Sequence, residues 1–381
     1  MSGRTGNIPI FKKIDHYLSI NFSFQALSPE EKLINLYTKY ELLEGFNGEI
    51  SKLLTGENID WEYFLGIASA NKIEPVIYKN IQPFGEKIPF FVKEEIRKKT
   101  ALAFGRNVEN LNVVKHLSGF FEAAKIEALF IKGFSLMMDA YREPGVRVFS
   151  DVDVLIKEED FSAMANILKE EGFIRENKHI FHDYRSQTVF SLGKKFCLDV
   201  HTGFLGRKMH DKMLGIDMND VFARKREIDF KDFSVYTLDL SHTLVYLCLH
   251  LSLNHSFAGL IWYVDIDRFV RNHSREIDWN EIIEIAEKHR IKKPLFYTLL
   301  FTEKMFATPI PDHVFKKLEK FQKNFDKTVL TRMKEKNSEI DYMAEILLFD
   351  NYSDITKFVC LSFARYPYLI PHFFKILFRM I

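Results

Sequence analysis

The apolar positions of this chain change period along its length, and the changes divide it. From about residue 28 to residue 125 they recur at helical spacing. Ser28-Pro29-Glu30-Glu31 offers a capping serine, a proline in the first turn and acids at the positive end of the helix dipole. The pattern runs on through LINLYTKYELL; WEYFLGIASANK predicts a second helix, and Phe91 to about Ala124 a longer one. Near Glu127 the period shortens. EALFI is a short apolar run ending at Lys132-Gly133, as a buried strand does when it turns into a helix, here one reaching about Ala140. After the turn REPG, VRVFSDVDVLI is β-branched and alternates strictly, which predicts a strand. Phe161, Met164, Ile167 and Leu168 then share one helical face between Glu158 and Glu171, and Gly172 supplies the stop. TVFSL and KFCLDVH flank Gly193-Lys194 as the two arms of a hairpin, and a further pair around Glu227–Leu238 is placed to extend the sheet. From Ser241 onward the chain is helical again, without internal repeats.

Composition narrows the classes. A chain of 381 residues is long enough for two or three domains. With 47% hydrophobic and 28% charged residues it is neither disordered nor fibrous. Lys+Arg (53) and Asp+Glu (52) balance, which argues against a protein whose main task is to coat nucleic acid. Cys197, Cys248 and Cys360 lie far apart with no C-x-x-C pair, so neither a disulfide framework nor a thiolate zinc site is expected. The 37 phenylalanines point to thick packed cores. MSGRTGNIPIFKKIDHYLSI lacks a secretory pattern. The apolar FVCLSFARYPYLIPHFFKILFRMI is broken by Arg365, Pro367, Pro371, Lys375 and Arg379, and reads as a helix docking on the protein's own core rather than a span. The compartment expected is the cytoplasm.

Chemistry concentrates in Ser150-Asp151-Val152-Asp153-Val154. On a strand, Arg147, Phe149, Asp151 and Asp153 would share one face and Val152, Val154 and Ile156 the other, with the two carboxylates about 7 Å apart along the backbone. In KFCLDVH, Asp199 and His201 likewise share a face. If the two strands are neighbours, three carboxylates gather, and at ~5 Å with an effective dielectric near 20 each pair repels by about 3 kcal/mol. A hard divalent cation, Mg²⁺ or Mn²⁺, removes that repulsion. Neutralising Asp151 and Asp153 together is therefore expected to leave the metal-free protein at least as stable. A lone D-x-D is more often a pair of solvated strand-edge acids; the upstream strand-Lys132-Gly133-Phe134-Ser135-helix sets this one apart. A glycine at such a turn lets backbone N–H groups approach an anion, Ser135 has a hydroxyl for a phosphate oxygen, and Lys132 or Arg147 can offset triphosphate charge. Val264-Asp265-Ile266-Asp267 repeats the D-x-D, but on a helical pattern that turns its acids about 200° apart, so Asp265 and Asp267 read as structural or surface acids. His250 and His255, five apart, do not make an i, i+4 zinc pair and read as packing or hydrogen-bonding residues. His201 can orient Asp199 or touch a phosphate.

FIKGFSLMMDAYREPGVRVFSDVDVLI followed by LDVH resembles the uncharacterised nucleotidyltransferase family of the DNA-polymerase-β-like nucleotidyltransferase superfamily. The likeness rests on a glycine turn opening a helix, hDhD on a strand and an acid on a neighbouring strand, and extends to LCLHLSLNH…IWYVDIDRFV…DWNEI. Phe134 stands where the common superfamily form has Gly or Ser directly after the glycine. The resemblance implies an α+β protein: a nucleotidyltransferase-like core with a small mixed β-sheet over 106–238, between an N-terminal helical segment (1–105) and a C-terminal helical domain (239–381). Its pattern falls on Gly133, Ser135, Asp151, Asp153 and Asp199; together with the residue reading above, Asp151, Asp153 and Asp199 are expected as catalytic metal ligands, and Lys132, Gly133, Ser135, Arg147 and His201 as the nucleotide-binding residues. The reaction expected is transfer of an NMP group from an NTP to a small molecule or a protein, with nucleic acid the least favoured acceptor. The alternative is a nucleotide-binding regulator or an antitoxin-like protein that binds a protein partner.

Overall fold

In the computed structural model, residues 24–39, 44–176, 186–193, 196–255 and 257–319 are described, with isolated positions at 350, 353 and 356. The first twenty residues, Cys360 and the apolar C-terminal stretch named above lie outside them.

Helices α1 (Pro29–Thr38), α2 (Glu44–Gly56), α3 (Trp61–Ala70), α4 (Glu74–Ile81) and α5 (Phe90–Ala123) open the fold. Ser28 and Glu31 form the reciprocal cap that starts α1, and Asp60 caps α3. A sheet follows, with β1 (Leu129–Ile131), α6 (Lys132–Asp139), β2 (Val152–Leu155), α7 (Phe161–Glu170), β3 (Ile174–Arg175), β4 (Gln187–Leu192) and β5 (Phe196–His201). After α8 (Lys208–Leu214) and α9 (Met218–Ala223), β6 (Arg226–Asp229) and β7 (Ser234–Thr237) complete it in the order β3-β4-β5-β2-β1-β7-β6. The sheet is mixed: β2 pairs parallel to β5 and antiparallel to β1, while β1 pairs parallel to β7. The predicted hairpins are present as β4–β5 and β6–β7. Helices α10 (Leu240–Leu249), α11 (Leu260–Asn272), α12 (Trp279–Lys288), α13 (Lys292–Phe306) and α14 (Asp312–Leu318) close the described chain, with a π-helical turn at His250–Asn254 between α10 and α11.

Two apolar cores hold these layers. One fills the face of the sheet under α7 and the second half of α5, with Val114, Phe121, Val152, Val154, Ile156, Leu198 and Val200. The other joins the first helices to the last: Leu33, Tyr37, Phe64, Val264, Phe269 and Phe301 belong to one cluster, and Asn35 Nδ2 donates to the carbonyl of Met305 at 3.0 Å.

The long strand expected from VRVFSDVDVLI is cut to Val152–Leu155. Residues 147–151 approach it irregularly, and Phe149 turns into the core with Val152 and Val154 instead of sharing the face of Asp153. Its ring packs edge-on against Phe134 at 6.0 Å. Strict alternation held in the sequence but not in the backbone, because burying Phe149 outweighs extending the β-ladder at the start of β2.

Among the described residues no helix is long and apolar enough to cross a membrane, and neither Cys197 nor Cys248 is in a disulfide.

Candidate active site

The parallel ladder between β2 and β5 sets the site. Its register pairs Asp153 with Asp199 and Leu155 with His201. Alternation then drives Val152, Val154, Leu198 and Val200 into the core and leaves Asp153, Asp199 and His201 together on the opposite face. One ligating atom from each of these three lies within 4.8 Å of the others, and all three residues are buried. His201 Nε2 is 3.0 Å from Asp153 Oδ1 and 4.0 Å from Asp199 Oδ2. Gln187, across the hairpin, donates to Asp199 Oδ2. Asp199 Oδ1 and His201 Nδ1 are buried and, among the described residues, have no hydrogen-bond partner.

Lys132 completes the cluster. It follows β1 and begins α6 with φ +57°, a left-handed conformation that costs a non-glycine residue about 1–2 kcal/mol. That turn carries its ammonium to 2.5 Å from Asp153 Oδ1. Burial alone would push the Asp153 carboxyl up, but Lys132 and His201 outweigh it and hold it below the usual carboxylate range. Burial likewise opposes the Lys132 charge, and Asp153 overcomes that and raises the ammonium pKa. Asp199 has no such partner. Burial raises its carboxyl to about 6, with Asp153 adding to the rise against the pull of His201 and Lys132. Asp153 is thus a stabilised carboxylate and Asp199 a strained one. Neutralising Asp151 and Asp153 together would take from the buried Lys132 ammonium the carboxylate it pairs with, and the stability expected of that double change from the sequence leaves this cost out.

The remaining sequence-predicted residues are placed as follows. Asp151 lies at the bend before β2, where Ser150 Oγ donates to its Oδ1 at 3.0 Å. It lines the cavity without entering the Asp153–Asp199–His201 cluster. Gly133 also lines the cavity, and a Cβ there would stand 2.8 Å from Phe149 Cβ, so the glycine lets the 147–151 approach close over the start of α6. The first turn of α6 has no side-chain cap. Ser135 is buried and its hydroxyl donates back to the Lys132 carbonyl at 3.1 Å. Arg147 is gripped by Asp265: Nε and Nη2 each donate to a carboxylate oxygen at 2.7 Å, and Nη1 donates to the Val148 carbonyl. Tyr141 adds a hydroxyl to the same carboxylate at 2.6 Å. Asp267, by contrast, accepts from Arg271 at 2.9 Å and Thr308 at 2.6 Å. The second D-x-D therefore fastens α11 to its neighbours, and Asp265 does so from the wall of the site.

These groups open into a cavity of about 530 Å³, within the range of small-molecule sites. Its walls come from three parts of the chain: Asn71 and Lys72 after α3, the sheet end with α6, and Arg207, His250, His255 and Trp262 further on. Asn71 Oδ1 accepts from the N–H of Leu260 at 2.9 Å, tying the first wall to the last. Sequence reasoning did not find Gln187, Arg207 or Lys72, since no local pattern marks them. Asp265, read from the sequence as a structural or surface acid, is buried and holds Arg147.

A family model described as uncharacterised nucleotidyltransferase matches residues 57–307, well over half of the chain. The protein belongs to that family. The match takes in the α3–α4 turn, the whole sheet and α10 to α13, and with them every residue that lines the cavity. Nucleotidyl transfer is thus the class of chemistry associated with this fold, and the α+β architecture with its mixed sheet agrees with the resemblance in the sequence. A comparison with curated proteins finds no match.

Proposed function

We propose that the protein transfers an NMP group from an NTP to the hydroxyl of a small molecule or a protein side chain, in a reaction dependent on Mg²⁺ or Mn²⁺. The observation that carries this reading is the β2–β5 register, which sets Asp153 opposite Asp199 in a buried cleft beside the first turn of α6.

The residues suit a hard cation. Asp199 keeps a buried oxygen without a partner and a raised pKa, both of which a cation would relieve. Asp153 and Asp199 would hold the ion, with Asp151 and His201 beside them, and when bound it would supply Lewis-acid stabilisation of phosphate charge. The protein's own groups do the rest. Asp199 accepts the proton of the acceptor hydroxyl as its oxygen attacks the α-phosphorus in line, and the α–β bridging bond breaks, its electron pair leaving with pyrophosphate. Lys132 moves its donors from Asp153 to the triphosphate. The uncapped N–H groups at Gly133, with Ser135 in the same turn, face phosphate oxygens. Arg147 contributes its charge to the cavity while its donors remain on Asp265. The balanced overall charge favours a small molecule or protein over nucleic acid as acceptor, and NTP supply favours the cytoplasm.

The regulator or antitoxin-like reading has one observation on its side: Lys132 already sits where a cation would neutralise Asp153. Thermal unfolding separates binding from its absence. Mg²⁺ with the right NTP should raise the melting temperature of wild type by mass action, and neither Asp153→Asn nor Asp199→Asn should respond. Asp267→Asn, which alters contacts away from the cavity, should respond as wild type does; Asp265→Asn is no control, since Asp265 holds Arg147 at the cavity wall. Equal responses in all variants would remove the carboxylates from the site.

A further inference from the structure

The cavity lining combines two chemically distinct sets of groups. One is Lys132, Asp151, Asp153 and Asp199; the other is His250, His255 and Trp262. His255 stacks on Trp262 with ring centroids 3.6 Å apart and planes within 18°, and meets His250 edge-on at 4.6 Å. Both rings of the stack are only partly buried and line the cavity.

Their polar atoms are turned toward one another. Asn254 Nδ2 donates to His250 Nδ1 at 3.2 Å, which leaves the His250 Nε2 proton to point at His255 Nε2, 3.1 Å away. The two imidazoles thereby occupy complementary tautomers. Both remain neutral at physiological pH. Burial and then the Lys132 charge lower His255 to about 4 and His250 well below its ordinary value. Neutral rings whose nitrogens are turned on one another offer little to a phosphate or a cation.

The backbone holds this wall by irregular means. His250–Asn254 is a π-helical turn, a deformation found preferentially at functional positions. Gly259 has φ +104°, and any Cβ there would stand 2.1 Å from the Trp262 ring, so only glycine lets the indole lie down against this turn. A helix joined to its neighbour for packing alone needs neither feature.

We propose that the His255–Trp262 stack, backed by His250, is the subsite for the planar heteroaromatic base of the nucleotide, while the triphosphate meets the carboxylate and lysine groups. This rests on the nucleotidyl-transfer reading of the same cavity and assigns its second set of groups. An uncharged planar surface buries an uncharged planar ring with stacking worth about 1–3 kcal/mol per base, and the cavity is too large for a triphosphate alone.

Calorimetric titration with two probes tests the assignment: Mg²⁺ with each of the four NTPs, and Mg²⁺ with inorganic tripolyphosphate, which has no base. For His255→Ala, the affinity of the tightest NTP should fall about tenfold or more while tripolyphosphate binding stays within twofold of wild type. His255→Phe keeps a stacking ring without the hydrogen bond and should restore NTP affinity to within about threefold. Thermal unfolding of both variants checks that each is folded. The proposal is overturned if His255→Ala binds NTP as wild type does, or if it loses both probes equally, which marks a structural role. Failure of wild type to bind either probe would instead overturn the nucleotide reading itself, and the base subsite with it.

Discussion

Asp199→Asn makes the sharpest use of the site's electrostatics. Burial pushes the Asp199 carboxyl up to about 6, against 3.8 for an unperturbed aspartate. Its folded pKa lies above its unfolded one, so the stability tied to its protonation is fully present below about 4 and is lost as the pH rises through about 6. Above that, the interval of roughly two pH units corresponds to about 3 kcal/mol of destabilisation from holding a buried carboxylate, one of whose oxygens has no hydrogen bond, beside Asp153. Between pH 8 and pH 5 the group should return about 1.4 kcal/mol to the folded state. Asparagine keeps the shape, removes the charge and can still pair with Gln187. The metal-free variant should therefore be more stable than wild type at pH 8, by about 1–3 kcal/mol. Urea unfolding in chelator at pH 8 and pH 5, on both proteins, isolates the term: the wild-type gain on acidification should exceed that of the variant by about 1 kcal/mol or more. A variant less stable than wild type at pH 8, with the same pH dependence, would refute the reasoning.

Other substitutions should act in the opposite direction. Asp153→Asn strands the buried Lys132 ammonium and should cost about 3–5 kcal/mol in chemical unfolding; a neutral result would mean that the Lys132–Asp153 pair does not form. Arg147→Lys cannot reproduce the two-pronged contact with Asp265 and should lower the melting temperature, whereas Asp267→Asn should leave the 147–151 approach undisturbed, as hydrogen exchange there would report. Gly133→Ala places a Cβ against Phe149 and should cost about 1–3 kcal/mol, with weakened NTP binding; full stability would show that the approach to β2 yields easily.

What was legible from the chain depended on how local the signal was. The β4–β5 hairpin, the cap at Ser28 and the carboxylates Asp153 and Asp199 all declare themselves within a few residues, because period-2 alternation and turn chemistry are short-range. Phe149 broke the same alternation because its ring partner, Phe134, lies on α6 rather than along the strand. The Lys132–Asp153 pair was hidden by a left-handed residue in a turn, and Arg147 was legible as a cation but not as the partner of Asp265, 118 positions away. The packing of α1 against α13, fixed by Asn35 and Met305, is equally long-range. The aromatic wall shows the limit best. His250 and His255 do not share a helical face in regular geometry, and only the π-turn brings their rings together.

Nucleotidyl transfer itself is tested most directly by following the label. Wild-type protein is incubated with Mg²⁺, cell extract and an NTP labelled at the α- or at the γ-phosphate. The proposed reaction deposits the α-label on an acceptor, releases the γ-label as pyrophosphate, and fails in Asp153→Asn and Asp199→Asn but not in Asp267→Asn. Binding of NTP with no α-label on any acceptor, or release of γ-label as orthophosphate alone, would contradict it.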